Sequence, residues 1–185
     1  TLNKIKSEAE RLENIIASLL GLAQSGFNGK VQPREEVRID ELLWEIKDAV
    51  YQVHPESKIE LDLSKLPEDE AAVTLKANKN LLKLAVTNIV SNACKYSDFK
   101  PVKVKLESNG SLLSIAVIDQ GIGIPQDDIQ HIFEPFFRAS NTSNFNGYGI
   151  GLPLSLNIIR LHRGSIGIKS QEGMGTEIKV MLPVN

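Results

Sequence analysis

Apolar residues open the chain at alternating spacings of three and four: Leu2, Ile5, Ala9, Leu12, Ile16, Leu19 and Ala23. That is a heptad seam, and Lys4, Lys6, Glu8, Glu10, Arg11 and Glu13 fill the outer faces of the helix it predicts. Ile15 and Leu20 widen the stripe, which favours a helical bundle over a two-stranded zipper, although a helix packed on its own domain has the same pattern. The seam ends in a breaker-rich stretch containing Gly21, Gly26, Asn28 and Gly29, closed by Pro33. The pattern therefore divides the chain into a helix over residues 1–27 and a second unit over residues 34–185.

In the second unit the periods change repeatedly. Val37-Arg38-Ile39 alternates as a short strand, and Asp40 reads as the N-cap of a helix bearing Leu42, Leu43, Ile46, Val50 and Val53 on one side. Trp44 lies on that helix and is expected to pack in or beside the core. Lys58 to Leu63 alternates as a half-buried strand, and Ala72 to Leu75 is a further short strand. Asn78 caps a long helix to about Tyr96, with Leu81, Leu82, Leu84, Ala85, Ile89 and Ala93 as its apolar face. Val102–Glu107 and Leu112–Ile118 form a hairpin about Asn109-Gly110. A short helix near Asp127–Ile132 and a long irregular stretch to Gly147 follow. The last helix covers about Leu152–His162, with Pro153 in its first turn and Gly164 as its stop. Ser165–Lys169 and Glu177–Leu182 are strands about the Gly173-Met174-Gly175 turn. Strand runs with segregated helices predict an α+β fold, a two-layer sandwich of one mixed sheet with helices on one face.

Composition adds exclusions. Of 185 residues, 42% are hydrophobic and 24% charged, as in ordinary globular chains, and the formal net charge of -2 gives no ground for nucleic-acid or anionic-membrane binding. The single cysteine, Cys94, rules out an internal disulfide and suits a reducing compartment. No apolar run approaches the ~18 residues of a membrane span, so no direct membrane contact is expected. Thr1 starts abruptly on a helical pattern, which suggests a fragment of something longer.

Four segments carry candidate chemistry. In Asn88-Ile89-Val90-Ser91-Asn92-Ala93-Cys94-Lys95-Tyr96, Asn88 and Asn92 project from one helix face, where asparagine has poor helical propensity. Their amide oxygens could ligate a hard cation and Lys95 could reach phosphate, or both amides could simply bond to neighbouring backbone. Asp119-Gln120-Gly121-Ile122-Gly123 follows an apolar strand. Its carboxylate accepts hydrogen bonds only, which suits the amino group of adenine and disfavours guanine, and its glycines clear space for a flat ligand; a plain turn is the alternative. Phe133-Glu134-Pro135-Phe136-Phe137-Arg138, followed by the polar stretch Ala139–Asn146, looks like the anchor of a loop over a ligand. Gly147-Tyr148-Gly149-Ile150-Gly151-Leu152 leads straight into a helix, so its free N–H groups could meet phosphate. It is neither a P-loop, since no Gly-Lys-Ser/Thr follows, nor a dinucleotide fingerprint.

In this order the four segments resemble the N, G1, F and G2 boxes of the histidine-kinase branch of the GHKL ATPase superfamily, over about Val37 to Asn185. The resemblance implies a Bergerat-type sandwich that binds ATP and Mg²⁺ beneath a lid. It implies that Asn92 coordinates Mg²⁺, that Asn88 and Lys95 act catalytically on the phosphate side, and that Tyr96 also contacts nucleotide. Asp119 would read adenine with Gly121 and Gly123 beside it. Gly147, Gly149, Gly151 and Leu152 would form the phosphate-side lid, and Thr176 would lie near the base. The leading helix resembles the second helix of a dimerisation and phosphotransfer hairpin, which implies a homodimer and a response-regulator receiver domain as partners. The location implied is cytoplasmic, whether or not a longer parent is anchored to the inner membrane.

The family's phosphoacceptor box is absent. His54 precedes Pro55 in a loop, His131 lies on the short helix and His162 ends the last helix; a structural or surface role is expected for each. The acceptor is therefore expected upstream of Thr1, with the γ-phosphoryl group of ATP passing to it. The alternatives are a GHKL-family ATPase, an anti-sigma-type serine kinase and a nucleotide-binding pseudokinase. Hydrolysing relatives of the superfamily use a glutamate at the position of Asn88, and an amide cannot serve as general base.

Overall fold

A computed structural model describes residues 1–6, 9 and 34–184. Residues 2–6 are helical, with the Ile5 N–H bonded to Thr1 O at 3.0 Å. The rest of the expected heptad helix and the glycine-rich linker through Pro33, Ala9 apart, lie outside the described residues.

The second unit begins with β1 (Glu35–Arg38) and α1 (Ile39–Val53), followed by β2 (Ile59–Asp62). After them come β3 (Thr74–Ala77), α2 (Lys79–Tyr96), β4 (Val102–Ser108) and β5 (Leu112–Asp119). α3 (Gly151–Leu161), β6 (Ser165–Gln171) and β7 (Gly175–Pro183) complete it. β2, β4, β5, β7 and β6 form one open sheet in that order, parallel between β2 and β4 and antiparallel elsewhere, while β1 pairs antiparallel with β3 in a small second sheet.

The sandwich follows from strand alternation. In β4, Val102, Val104 and Leu106 are buried, whereas Lys103, Lys105 and Glu107 point the other way and stay at least partly exposed. The register sets Val104 opposite Val117, and Val117 opposite Ile178, so the apolar residues of successive strands share one face. The helices cover that face: α2 packs on β4 and β5, α3 on β6, and α1 on β2. Leu82, Ala85, Val86, Ile89, Val90 and Ala93 of α2 enter one continuous core with Leu42, Leu43 and Ile46 of α1 and Leu154, Ile158 and Ile159 of α3. This is the expected α+β arrangement. Among the described residues no helix is long and apolar enough to cross a membrane.

Several local expectations are corrected. β1 starts at Glu35, and Ile39 already belongs to α1. Asp40 is therefore in the first helical turn instead of capping it; its carboxylate takes a 2.7 Å hydrogen bond from the Arg38 guanidinium. Ala72 and Val73 belong to a 3-10 turn, Glu70–Val73, because the Asp69 side chain accepts from the Ala71 N–H and starts a cap there; the strand begins only at Thr74. The short helix expected near Asp127 contracts to Ile129–His131, since the Asp128 carboxylate is engaged by the N–H and hydroxyl of Ser140 instead of by its own helix. Trp44 is 51% exposed and Val53 66%, so neither joins the core. Asn78 does cap α2, accepting from the Leu81 N–H at 2.9 Å.

Candidate functional site

The C-terminal half of α2 supplies the floor of a cleft. Asn88 and Asn92 face the start of α3 so closely that a Cβ on Gly151 would stand 3.8 Å from Asn92 Nδ2 and 3.9 Å from Asn88 Cγ. The Asn88 Nδ2 group is buried without a hydrogen-bond partner, a donor left over for something the chain itself does not provide. α3 is held in place by Ser155, whose buried Oγ lies 2.9 Å from the carbonyls of both Ala85 and Gly151. No side chain caps the first turn of α3, so its N–H groups stay available beside the two amides.

One turn further along α2, Lys95 Nζ stands 4.4 Å from the Tyr96 ring centroid and donates to Asn146 O at 2.9 Å. Burial lowers the Lys95 ammonium to about 8, with the nearby Arg138 charge acting in the same direction. Burial also raises the Tyr96 phenol, and that ring meets Phe145 edge-on at 5.1 Å. Arg138 ties the loop to itself, bonding Thr142 O at 2.8 Å and also Phe145 O.

The opposite wall is built around Asp119 at the end of β5. It is 8% exposed, and burial raises its carboxyl while the N–H groups of Gly121 and Thr176 oppose that rise. Gly121 donates to Asp119 Oδ1 at 2.8 Å, and no larger residue fits there: a Cβ would come within 2.4 Å of Tyr96 O. Thr176 is the direct register partner of Asp119, and its hydroxyl is 2.7 Å from Ser170 Oγ, which in turn accepts from the Ile124 N–H. Gly123 has a φ of 65°, and its carbonyl accepts from Asn141 Nδ2 at 3.0 Å.

Between these walls lies a cleft of about 560 Å³, in the range of small-molecule sites. Asn88, Asn92, Lys95, Tyr96, Asp119, Gly123, Gly147, Gly149, Gly151, Leu152 and Thr176 all line it, so four segments scattered over the sequence converge on one cavity. Gly121 stands behind Asp119, shaping the wall without lining it. Among the described lining residues Asp119 is the one carboxylate. His54 also lines the cleft, beside Phe99 at 5.5 Å between ring centroids, whereas His131 pairs with Glu134 and His162 is buried between α2 and α3. Sequence reasoning did not single out Asn141, Phe145, Asn146 or Ser170. Their parts are played by one side-chain amide, backbone carbonyls, a ring edge and one hydroxyl, none of which has a spacing signature.

Among the described residues no cluster of His, Cys, Asp or Glu could hold a metal ion by itself. A hard cation here would take amide oxygens from α2 and complete its shell from a ligand or water, which is how Mg²⁺ is ordinarily held beside phosphates. The amide oxygens fit that ion, and beside them the unpartnered Asn88 Nδ2 group is a donor suited to a phosphate oxygen.

Residues 77–185 match the model of the histidine kinase-, DNA gyrase B- and HSP90-like ATPases, and the chain belongs to that family. Among curated relatives, the sensor histidine kinase RcsC of Escherichia coli K12 is 33% identical over 119 residues, 63% of this chain and 12% of that protein. The histidine-protein kinase ArlS of Staphylococcus haemolyticus is 28% identical over 98% of this chain and 40% of its own length. YkoH of Bacillus subtilis, also a sensor histidine kinase, is 29% identical over 96% and 38%. The chain thus spans at most about two fifths of these relatives. The fold is also that of solved structures: full-length ShkA in complex with AMPPNP superposes with a TM-score of 0.80 at 22% identity, covering 98% of this chain and 37% of that one. The mycobacterial sensor histidine kinase MprB superposes at 0.70 with 24% identity, over 80% of this chain and 97% of its own.

Proposed function

We propose that residues 34–185 are the ATP-binding catalytic unit of a two-component sensor histidine kinase and that residues 1–27 belong to a dimerisation and phosphotransfer hairpin. The curated relatives that run alongside nearly the whole chain carry histidine-kinase names, and ShkA binds AMPPNP on the same fold. The observation that carries the reading is the distribution of polar groups in the cleft: one buried carboxylate at Asp119, and amides, an ammonium and free N–H groups elsewhere.

Asp119 accepts from the amino group of adenine, with Gly123 and Thr176 beside the base. Asn88, Lys95, Tyr96 and the glycine-rich segment through Gly147, Gly149, Gly151 and Leu152 take the phosphate side. Asn92 would hold Mg²⁺ through its amide oxygen, and the ion when bound would supply neutralising charge to the phosphates. Phosphoryl transfer depends mainly on positioning and charge, and these residues offer donors without a base to activate water. The γ-phosphoryl group is accordingly passed to a histidine imidazole on a preceding segment, and from there to an aspartate of a response-regulator receiver domain. The partner surfaces are those of a homodimer in a cytoplasmic compartment.

Titration of ATP with and without Asp119→Ala tests the pocket: a loss of ~1–3 kcal/mol, roughly ten- to a hundredfold, is expected. Unchanged affinity would remove the assignment. Incubation with Mg²⁺-ATP and a separate hairpin bearing the acceptor histidine should give acid-labile phosphate on the hairpin. Acid-stable phosphate on serine or threonine would establish the serine-kinase alternative.

A further inference from the structure

Four lysines of the outer surface are engaged by carboxylates: Lys79 and Lys83 share Glu45, and Lys65 and Lys105 share Glu107. Lys95 differs. Its amine lines the cleft, over the face of Tyr96, with the carbonyl of Asn146 as its hydrogen-bond acceptor. A carbonyl can be surrendered without stranding a second charge, unlike a carboxylate. The Cβ of a residue at Gly147 would lie 3.3 Å from Nζ, so the absent side chain leaves an approach to the amine from the glycine-rich turn.

We propose that Lys95 is a site of acylation by acyl phosphates, which makes the cleft responsive to the cell's supply of these activated acids. The class follows from the surroundings. An acyl phosphate presents a phosphate group to the N–H groups at the start of α3 and a reactive carbonyl one bond away. The unprotonated amine attacks that carbon, a C–N bond forms, the C–O bond to phosphate breaks, and inorganic phosphate leaves with the electron pair. The proton displaced from nitrogen goes to solvent. Burial favours the step by holding Lys95 near 8, so that an appreciable fraction is nucleophilic at neutral pH. The titratable groups facing it are the Arg138 guanidinium on the loop and the neutral phenol of Tyr96. The product amide has no charge, and Arg138 is left as the remaining cation beside that part of the cleft.

The proposal rests on the phosphate side lying at Lys95, and the test separates the two. The chain is incubated with acetyl phosphate, and acetylation at each lysine is followed by peptide mass spectrometry. The expected result is acetylation at Lys95 several-fold faster than at Lys79, Lys83 or Lys100, with the signal abolished in Lys95→Arg and the other sites unaltered. Acetylation of Lys95 no faster than of those three overturns the proposal. A parallel sample contains AMPPNP. Loss of Lys95 labelling alone supports placing the triphosphate there, whereas fast labelling undiminished by the analogue keeps the acylation site and rejects that placement. The acetylated chain, isolated, is expected to bind ATP roughly ten- to a hundredfold more weakly.

Discussion

His162 Nε2 accepts a hydrogen bond from the backbone N–H of Asn78 at 3.1 Å, joining the C-terminal end of α3 to the cap of α2. Its other ring nitrogen, Nδ1, lies 2.7 Å from Ile158 O and donates to it, so the neutral imidazole is the form that fits. Burial holds its pKa below the ordinary 6.5, and the Arg34 charge adds to that.

The pH dependence of stability follows in sign. The unfolded chain binds a proton at this ring at a higher pH than the folded chain does, so its contribution is complete above 6.5 and declines as pH falls through the lower folded value. Urea unfolding at pH 7.5 should show His162→Ala weakened by ~1–3 kcal/mol. The difference from the parent should shrink at pH 5. A constant difference across that range would contradict the assigned tautomer.

Gly121 and Gly167 give opposite answers to one substitution. A Cβ at Gly121 meets the backbone carbonyl oxygen of Tyr96 at 2.4 Å, whereas one at Gly167 meets nothing within 4 Å. Gly121→Ala is expected to cost more than about 2 kcal/mol and to disturb the Asp119 turn, and Gly167→Ala to stay within about 1 kcal/mol of the parent. Thermal midpoints of the two variants decide it.

Asp119 sets binding against stability. A carboxylate whose ionisation is opposed by burial is a charge held at a cost, and Asp119→Asn removes the charge with little change of shape. The thermal midpoint should hold or rise by roughly 2–4 °C for each kcal/mol gained, while ATP affinity falls. A fall in both would mean that the two N–H groups beside Asp119 need a full negative charge more than the chain suffers from it.

Trp44→Ala should be nearly silent. The indole is half exposed, with Lys47 Nζ 5.2 Å from its centroid, so truncation is expected to cost no more than ~1 kcal/mol in chemical denaturation.

Trp44 also marks a limit of what sequence discloses. Its spacing alone could not separate the edge of the apolar stripe of α1 from the stripe itself. Asp40 failed similarly: an acidic residue before an apolar run satisfies both a cap and a first-turn position, and what decides is that the helix already starts at Ile39, after an extended Arg38. The strands of the main sheet were legible because a strict period of two is hard to produce by any other means. The cleft was legible for a different reason. Asn88, Asn92, Asp119 and the glycines are residue types that their elements do not favour, so together they pointed to a ligand. Asn146, which contributes a carbonyl, and Ser170, which contributes a hydroxyl, carry no such contradiction.

α3 is tethered at its middle and at its C-terminal end: Ser155 on Ala85 O, and Leu161, whose carbonyl receives the Arg34 guanidinium at 2.7 Å. With a rise of about 1.5 Å per residue, the middle tether lies ~6 Å from one end and ~9 Å from the other. A rod pinned at its middle and its far end cannot tip, so a ligand that displaces the first turn would have to bend that overhanging ~6 Å alone. Amide resonances of Arg34 and Leu161 that stay fixed while those of Gly151 shift would show that the rod bends instead of tipping.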